Sequence, residues 1–223
     1  MSRFDSNQPL TVALRPARLV ELRGQPDVVR RLQKFVRRPY PCGFIFTSAT
    51  GVGKSTAARA LAGELGCIIE GSACAQQCGG FWDLNGANVT VQEARDRIRS
   101  CHYGTLAGSG WRVFSIAEAD RMTSAAFDEF NFVLDNPLSR SVWIFTTNLI
   151  HEFDRRFVNR CEVLRFESDA RVLKADANQY IKILWKEAAQ EGRAPTIEDI
   201  PQAVVGNHLS YRAIINGLAA LID

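Results

Sequence analysis

The chain has 223 residues, 46% of them hydrophobic and 23% charged, with a formal net charge of +3. That length and apolar content bury the core of one large domain, or of one domain with a small appendix, and exclude a disordered or low-complexity chain. No stretch runs 18 apolar residues without a charge, and the start, MSRFDSNQPL, has no apolar run of signal-peptide length, so the reading is a cytoplasmic protein that does not enter a membrane.

An early arginine cluster, Arg15, Arg18, Arg23, Arg30, Arg31, Arg37 and Arg38, is compatible with a solvated basic face and with a nucleic-acid surface alike. Short β-rich runs follow: FIFT at 44–47, FWDL at 81–84, WRVFSI at 111–116, VWIFTT at 142–147 and VLRF at 163–166. Strands apolar on both faces predict a covered parallel sheet. Helical patterns lie between them. In SAAFDEFNFVLD, residues 124–135, Phe127, Phe130 and Leu134 recur at helical spacing, and Asn136-Pro137 marks the end. Past about residue 168 the strand signals stop and three helices are predicted, at roughly 174–191, 196–205 and 210–221, punctuated by Gly192, Pro195 and Gly206. The pattern predicts an α/β base over 1–168 and a small helical lid over 169–223.

FIFT runs directly into Ser48, Ala49, Thr50, Gly51, Val52, Gly53, Lys54, Ser55 and Thr56, and then into the helical AARALAGELG. Strand, glycine loop and helix in this order form a phosphate-binding loop. Gly51 and Gly53 let backbone amides turn inward, the helix points its positive end at the anion, Lys54 reaches the outer phosphates, and Ser55 offers a hydroxyl to magnesium. Ser48 stands where the pattern ordinarily opens with glycine.

With this loop, VFSIAEADRM at 113–122, FTTN at 145–148 and NRC at 159–161 in order, the chain resembles an AAA+ ATPase of the clamp-loader branch, which holds the bacterial gamma/tau subunit of DNA polymerase III and the small subunits of replication factor C. The resemblance covers nearly the whole chain. It starts at LRPARLVELRGQPDVVRRL, residues 14–32, similar to the family stretch that packs on adenine, and includes WDLNGANVTVQEARDRI, residues 82–98. It implies a P-loop NTPase with a five-stranded parallel sheet sandwiched by helices and followed by the lid, with ATP and magnesium as ligands. It further implies that Glu118 polarises the attacking water, Asn148 is sensor 1, Arg212 is sensor 2, and Arg160 is an arginine finger acting on the nucleotide of an adjacent subunit. The implied partners are other AAA+ subunits in a ring or partial ring, DNA, and a sliding clamp or polymerase assembly.

The chain departs from the family at three places. Ala117 stands where the family has the aspartate that helps to hold magnesium, so slow hydrolysis and a non-hydrolysing scaffold that lends Arg160 to a partner are both compatible with the sequence. The sequence stops at the lid helix, where clamp-loader subunits go on into a collar domain, so it is either a fragment or assembles through its AAA+ modules alone, and a DNA-bound regulator outside replication also fits. Cys67, Cys74 and Cys78 fall where gamma/tau subunits carry a four-cysteine zinc module, but at unpaired spacing, so zinc and small buried thiols both fit. Separately, Arg95 and Arg99 share one helix face that could track a DNA backbone, as the resemblance implies, with salt bridges to Glu93 and Asp96 the alternative on that helix.

Overall fold

The computed structural model describes residues 9–67, 80–103, 108–190, 204–205 and 208–222. Five strands, β1 (Cys42–Thr47), β2 (Phe81–Asn85), β3 (Arg112–Ala117), β4 (Ser141–Thr147) and β5 (Cys161–Arg165), form one sheet in the order β2-β3-β4-β1-β5. Every pairing is parallel. The five apolar runs thus become five strands, and the expected AAA+ sheet is present. Parallel strands need crossovers, and α3 (Lys54–Glu64), α4 (Val91–Ser100), α5 (Ser124–Asp135) and α6 (Arg155–Val158) lie between the strands, while α1 (Leu10–Ala13) and α2 (Pro26–Arg37) precede β1.

Each sheet face is covered, which is why the strands carry no polar alternation. On one side Phe44, Phe46, Val113, Val142 and Ile144 pack with Leu32 and Phe35 of α2 and Ala57, Ala58 and Leu61 of α3. On the other, Ile45, Phe114, Ile116, Trp143 and Phe145 meet Phe130 and Val133 of α5 and Phe157 of α6. Trp82, Phe114 and Trp143 are register partners on β2, β3 and β4, and their rings stack at centroid separations of 4.7 and 4.1 Å. Such cross-strand aromatic contacts reinforce the register that aligns the strand tips.

Beyond β5 lie α7 (Ala170–Gln190), the short strands β6 (Val204–Val205) and β7 (His208–Leu209), and α8 (Tyr211–Ile222). The expectation of a helix over 196–205 is corrected at its end. Val204 and Val205 pair antiparallel with Leu209 and His208, in a register that leaves only Gly206 and Asn207 between them. β-branched residues beside a Gly-Asn pair favour a hairpin, a signal the helical period concealed. Residues 191–203 lie outside the described residues. Leu173, Ala177, Ile181 and Leu184 of α7 pack on Ile214 and Ile215 of α8 and on Leu14, a second core separate from the sheet. Among the described residues, no helix is long and apolar enough to cross a membrane.

Candidate nucleotide site

The strand tips, the glycine loop, the N-terminal segment and α8 enclose a cavity of about 540 Å³. Thr50 through Thr56 form its floor, Ala117, Glu118, Thr146, Thr147 and Asn148 one wall, Thr11, Arg15, Pro16 and Arg23 another, and Tyr180, Arg212, Ile215 and Asn216 the roof. Of the residues expected to bind or act on nucleotide, Gly51, Val52, Gly53, Lys54, Ser55, Glu118, Asn148 and Arg212 all meet here. Ser48 and Ala49 act from behind the loop, through their carbonyls.

Gly51 and Gly53 have φ of +81° and +103°, the left-handed region that costs glycine nothing, and Gly53 caps α3. This turn brings the start of α3 to the cavity. Lys54, the first helical residue, is buried, and its Nζ donates to the carbonyls of Ser48 (3.0 Å) and Ala49 (2.8 Å) and to Asn148 Oδ1 (2.8 Å). Its pKa is lowered to about 8, first by burial and then by the nearby Arg212 charge, with Asp120 opposing the shift. A half-desolvated ammonium at the base of a glycine cradle suits a polyphosphate anion, which would return the charge that burial disfavours.

The strand carrying Glu118 ends abruptly. Glu118 takes φ 53°, ψ 49°, a left-handed conformation for a non-glycine residue, and its exposed carboxylate meets Arg121 Nη1 at 2.9 Å. Room for this turn comes from Gly86, where an added Cβ would lie 2.2 Å from the Glu118 carbonyl oxygen. Asp120 is tied to the neighbouring strand: Thr147 Oγ1 donates to its Oδ1 at 2.5 Å, and the Leu149 N–H donates to Thr147 Oγ1 at 2.8 Å. Asp120 therefore couples the Glu118 turn to the tip bearing Asn148. It does not line the cavity, and Ala117, which does, offers no side-chain oxygen; Ser55 and Thr56 present hydroxyls there from α3.

The roof sits directly on the loop. The Arg212 N–H donates to the Gly51 carbonyl at 3.4 Å, and a Cβ on Gly51 would lie 2.0 Å from Ser210 Oγ. Gly24, at φ +67°, lies under Tyr211, whose hydroxyl donates to Asp176 at 2.6 Å. Gln25, 2% exposed, closes the junction by donating to the Glu167 carbonyl and accepting from its N–H. A Gly51→Ala chain should therefore lose nucleotide affinity by tenfold or more and unfold at lower temperature. Its positive φ and the contact with Ser210 both oppose a side chain, and nucleotide titration with a thermal melt would read both effects.

Residues 44–168 match the family described as the ATPase family associated with various cellular activities (AAA). The chain belongs to the AAA family. Within it, the sequence is similar to clamp-loader subunits: it is 27% identical to the replication factor C small subunit of Methanoculleus marisnigri, over 96% of this chain and 64% of that protein, and to that of Natronomonas pharaonis, over 92% and 60%. The chain therefore spans less than two thirds of these relatives' length. The fold is shared with a Thermotoga maritima DNA polymerase III gamma subunit-related protein, TM-score 0.55 at 15% identity over 75% of this chain and 55% of that one. It is also shared with the Thermotoga maritima RuvB Holliday junction branch migration motor, TM-score 0.56 at 16% identity over 93% and 73%.

Arg160 is placed away from this AAA site and is not among the cavity residues. It follows α6, where its Nε and Nη2 donate to the two Asp135 oxygens at 2.7 Å each, and its Nη1 donates to the Arg156 carbonyl at 2.8 Å. The proposed DNA face of α4 is largely self-paired. Arg95 bonds Glu129 on α5 through two nitrogens, at 3.0 and 2.7 Å, and Arg99 lies 3.8 Å from Asp96. The zinc expectation gains no support: Cys67 is buried, burial pushes its thiol up to about 12, and it donates to the Trp111 carbonyl at 3.3 Å. Cys74 and Cys78 lie outside the described residues, among which no group of three metal-ligating side chains gathers.

Proposed function

We propose that the chain is an ATP-binding AAA+ module of clamp-loader type, divided into a base over 1–168 and a lid over 169–223, that binds ATP and magnesium where subunits meet and hydrolyses the nucleotide slowly. The observation that carries this reading is the convergence on Lys54: one ammonium contacts the glycine loop and Asn148, with Arg212 close enough to perturb it. Loop, strand tip and lid thus share one charge, so an anion that takes Lys54 from Asn148 has consequences for all three.

In this scheme Lys54 and the loop N–H groups hold the outer phosphates, Ser55 would hold magnesium, and Arg212 lets the lid respond to the terminal phosphate. Glu118 orients and deprotonates the water that attacks phosphorus, and Asn148, freed from Lys54, fixes that water or the phosphate. The bond to the bridging oxygen breaks, yielding nucleoside diphosphate and phosphate. Magnesium supplies charge neutralisation when bound. Arg160, remote from its own cavity, serves the site of an adjacent subunit, and assembly becomes a condition of turnover.

The names of the relatives and fold neighbours, replication factor C, DNA polymerase III and a Holliday junction motor, support a DNA-associated assembly in replication or repair. A sliding clamp or polymerase assembly is the partner class that fits. A non-hydrolysing scaffold is the second reading, favoured by Ala117 alone. Steady-state ATP hydrolysis with magnesium, with and without primed DNA, compares the native chain with Glu118→Gln at rising protein concentration. Turnover per chain that grows with concentration and vanishes in the variant is the expected result. Nucleotide binding with no turnover at any concentration would make the scaffold reading the better one.

A further inference from the structure

Arg160 is the reading's most consequential residue outside its own cavity, and its surroundings are unusually complete. A free surface arginine samples many rotamers and loses entropy whenever it must point in one direction. Here three of the five guanidinium N–H groups are already engaged. Asp135, the last residue of α5, takes the Nε and Nη2 protons in a two-oxygen fork, and the Arg156 carbonyl, one turn back, takes a proton of Nη1. The two oxygens and the carbonyl approach from different sides, so the group can neither swing about its last torsion nor slide along the carboxylate. One proton on each terminal nitrogen has no acceptor within this arrangement, and the side chain keeps 30% of its surface exposed. The remaining donors therefore stay available to an incoming oxyanion.

The pair is also anchored from both helices. Asp154 accepts the Arg156 N–H at 2.6 Å and starts α6, while Phe157 of α6 packs edge-on against Phe127 of α5 at 4.8 Å. The chain position that carries Arg160 and the one that carries Asp135 are thus fixed to each other by apolar packing before the charges meet.

We propose that Asp135 is a positioning residue for Arg160: it holds the guanidinium in the direction in which a neighbouring subunit's nucleotide meets it. This inference rests on the reading of Arg160 as acting between subunits. It deepens that reading by assigning a residue of α5 to the same interface function, 25 positions away in sequence.

The test separates the two. Glu118→Gln chains can donate Arg160 but not hydrolyse, and Arg160→Ala chains can hydrolyse only with a neighbour's arginine. Mixed, they should regain turnover that neither shows alone. Placing Asp135→Ala on the Glu118→Gln chains should lower the mixture's kcat about ten- to a hundredfold with KM unchanged, and Asp135→Glu should restore part of it. The Arg160 Nε–H resonance, sharp and slowly exchanging in the native chain, should broaden in Asp135→Ala at an unchanged fold. A silent parent mixture overturns the inter-subunit reading and this inference with it. An active parent mixture that Asp135→Ala leaves unchanged or speeds overturns the inference alone. An equal loss with Asp135→Ala on the Arg160→Ala chains does so too, because those chains have no guanidinium to position.

Discussion

A chain carrying Arg160→Ala is expected to lose turnover by roughly a thousandfold, or to background, while binding nucleotide within about threefold of the native affinity. An arginine that meets phosphoryl oxygens only as charge develops on them contributes to kcat and little to ground-state binding, and removing one typically costs a factor of about 10³–10⁵. The proposed role also says which nucleotide is affected. Arg160 sits past α6, engaged with α5, and is absent from the cavity that Lys54 and Glu118 line in the same chain. On the proposed reading of Arg160 as acting between subunits, its loss is expected to be felt by an adjacent site. In kinetics this separates cleanly: kcat falls, KM holds, and the remaining activity no longer grows with protein concentration. Native-like turnover in Arg160→Ala, or activity per chain that is flat across the concentration at which assemblies form, would remove Arg160 from the mechanism.

Why some of this was legible in the sequence and some was not follows from the range of the interactions. The sheet could be read because each strand is apolar on both faces; Phe44, Ile45 and Phe46 are consecutive and all essentially inaccessible, a pattern that only a covered parallel strand needs. GVGKST could be read because loop geometry, helix dipole and lysine are local requirements. The hairpin of Val204–Val205 with His208–Leu209 was missed because two-residue strands carry no period, and its Gly-Asn pair resembled a break between helices.

The pairings that set the site's state are distant in sequence and leave no pattern. Thr147 with Asp120, Lys54 with Asn148, and Arg160 with Asp135 span 27, 94 and 25 positions. Helical spacing correctly put Arg95 on an outward face, yet it could not reveal Glu129, 34 positions on, whose carboxylate occupies it. Asp120 stands out most. Its Oδ1 accepts from Thr147, a bond that joins the Glu118 turn to the Asn148 strand tip. Asp120 therefore does not stand in the cavity in place of the aspartate missing at Ala117.

Nucleotide binding by the native chain is expected to take up nearly one proton at pH 9 and almost none at pH 7. In the nucleotide-free fold Lys54 has a pKa of about 8, against an ordinary 10.5, because burial and then Arg212 disfavour its charge more than Asp120 favours it. Above pH 8 the free site is mostly neutral, and a bound polyphosphate requires the ammonium, so affinity should fall by about tenfold per pH unit beyond 8. The same shift has a sign for stability. Between pH 8 and 10.5 the unfolded chain holds more protons than the folded one, so the cost of burying a charged Lys54, fully present below pH 8, is relieved as pH rises through that window. Calorimetric titrations in two buffers of different ionisation enthalpy count the proton directly. Lys54→Met should abolish measurable binding, whereas Lys54→Arg, permanently charged, should bind weakly and without proton uptake. Proton uptake near zero at pH 9 in the native chain would mean that Lys54 is already charged in the empty site, and that the hydrogen bonds it donates to Ser48, Ala49 and Asn148 outweigh its burial.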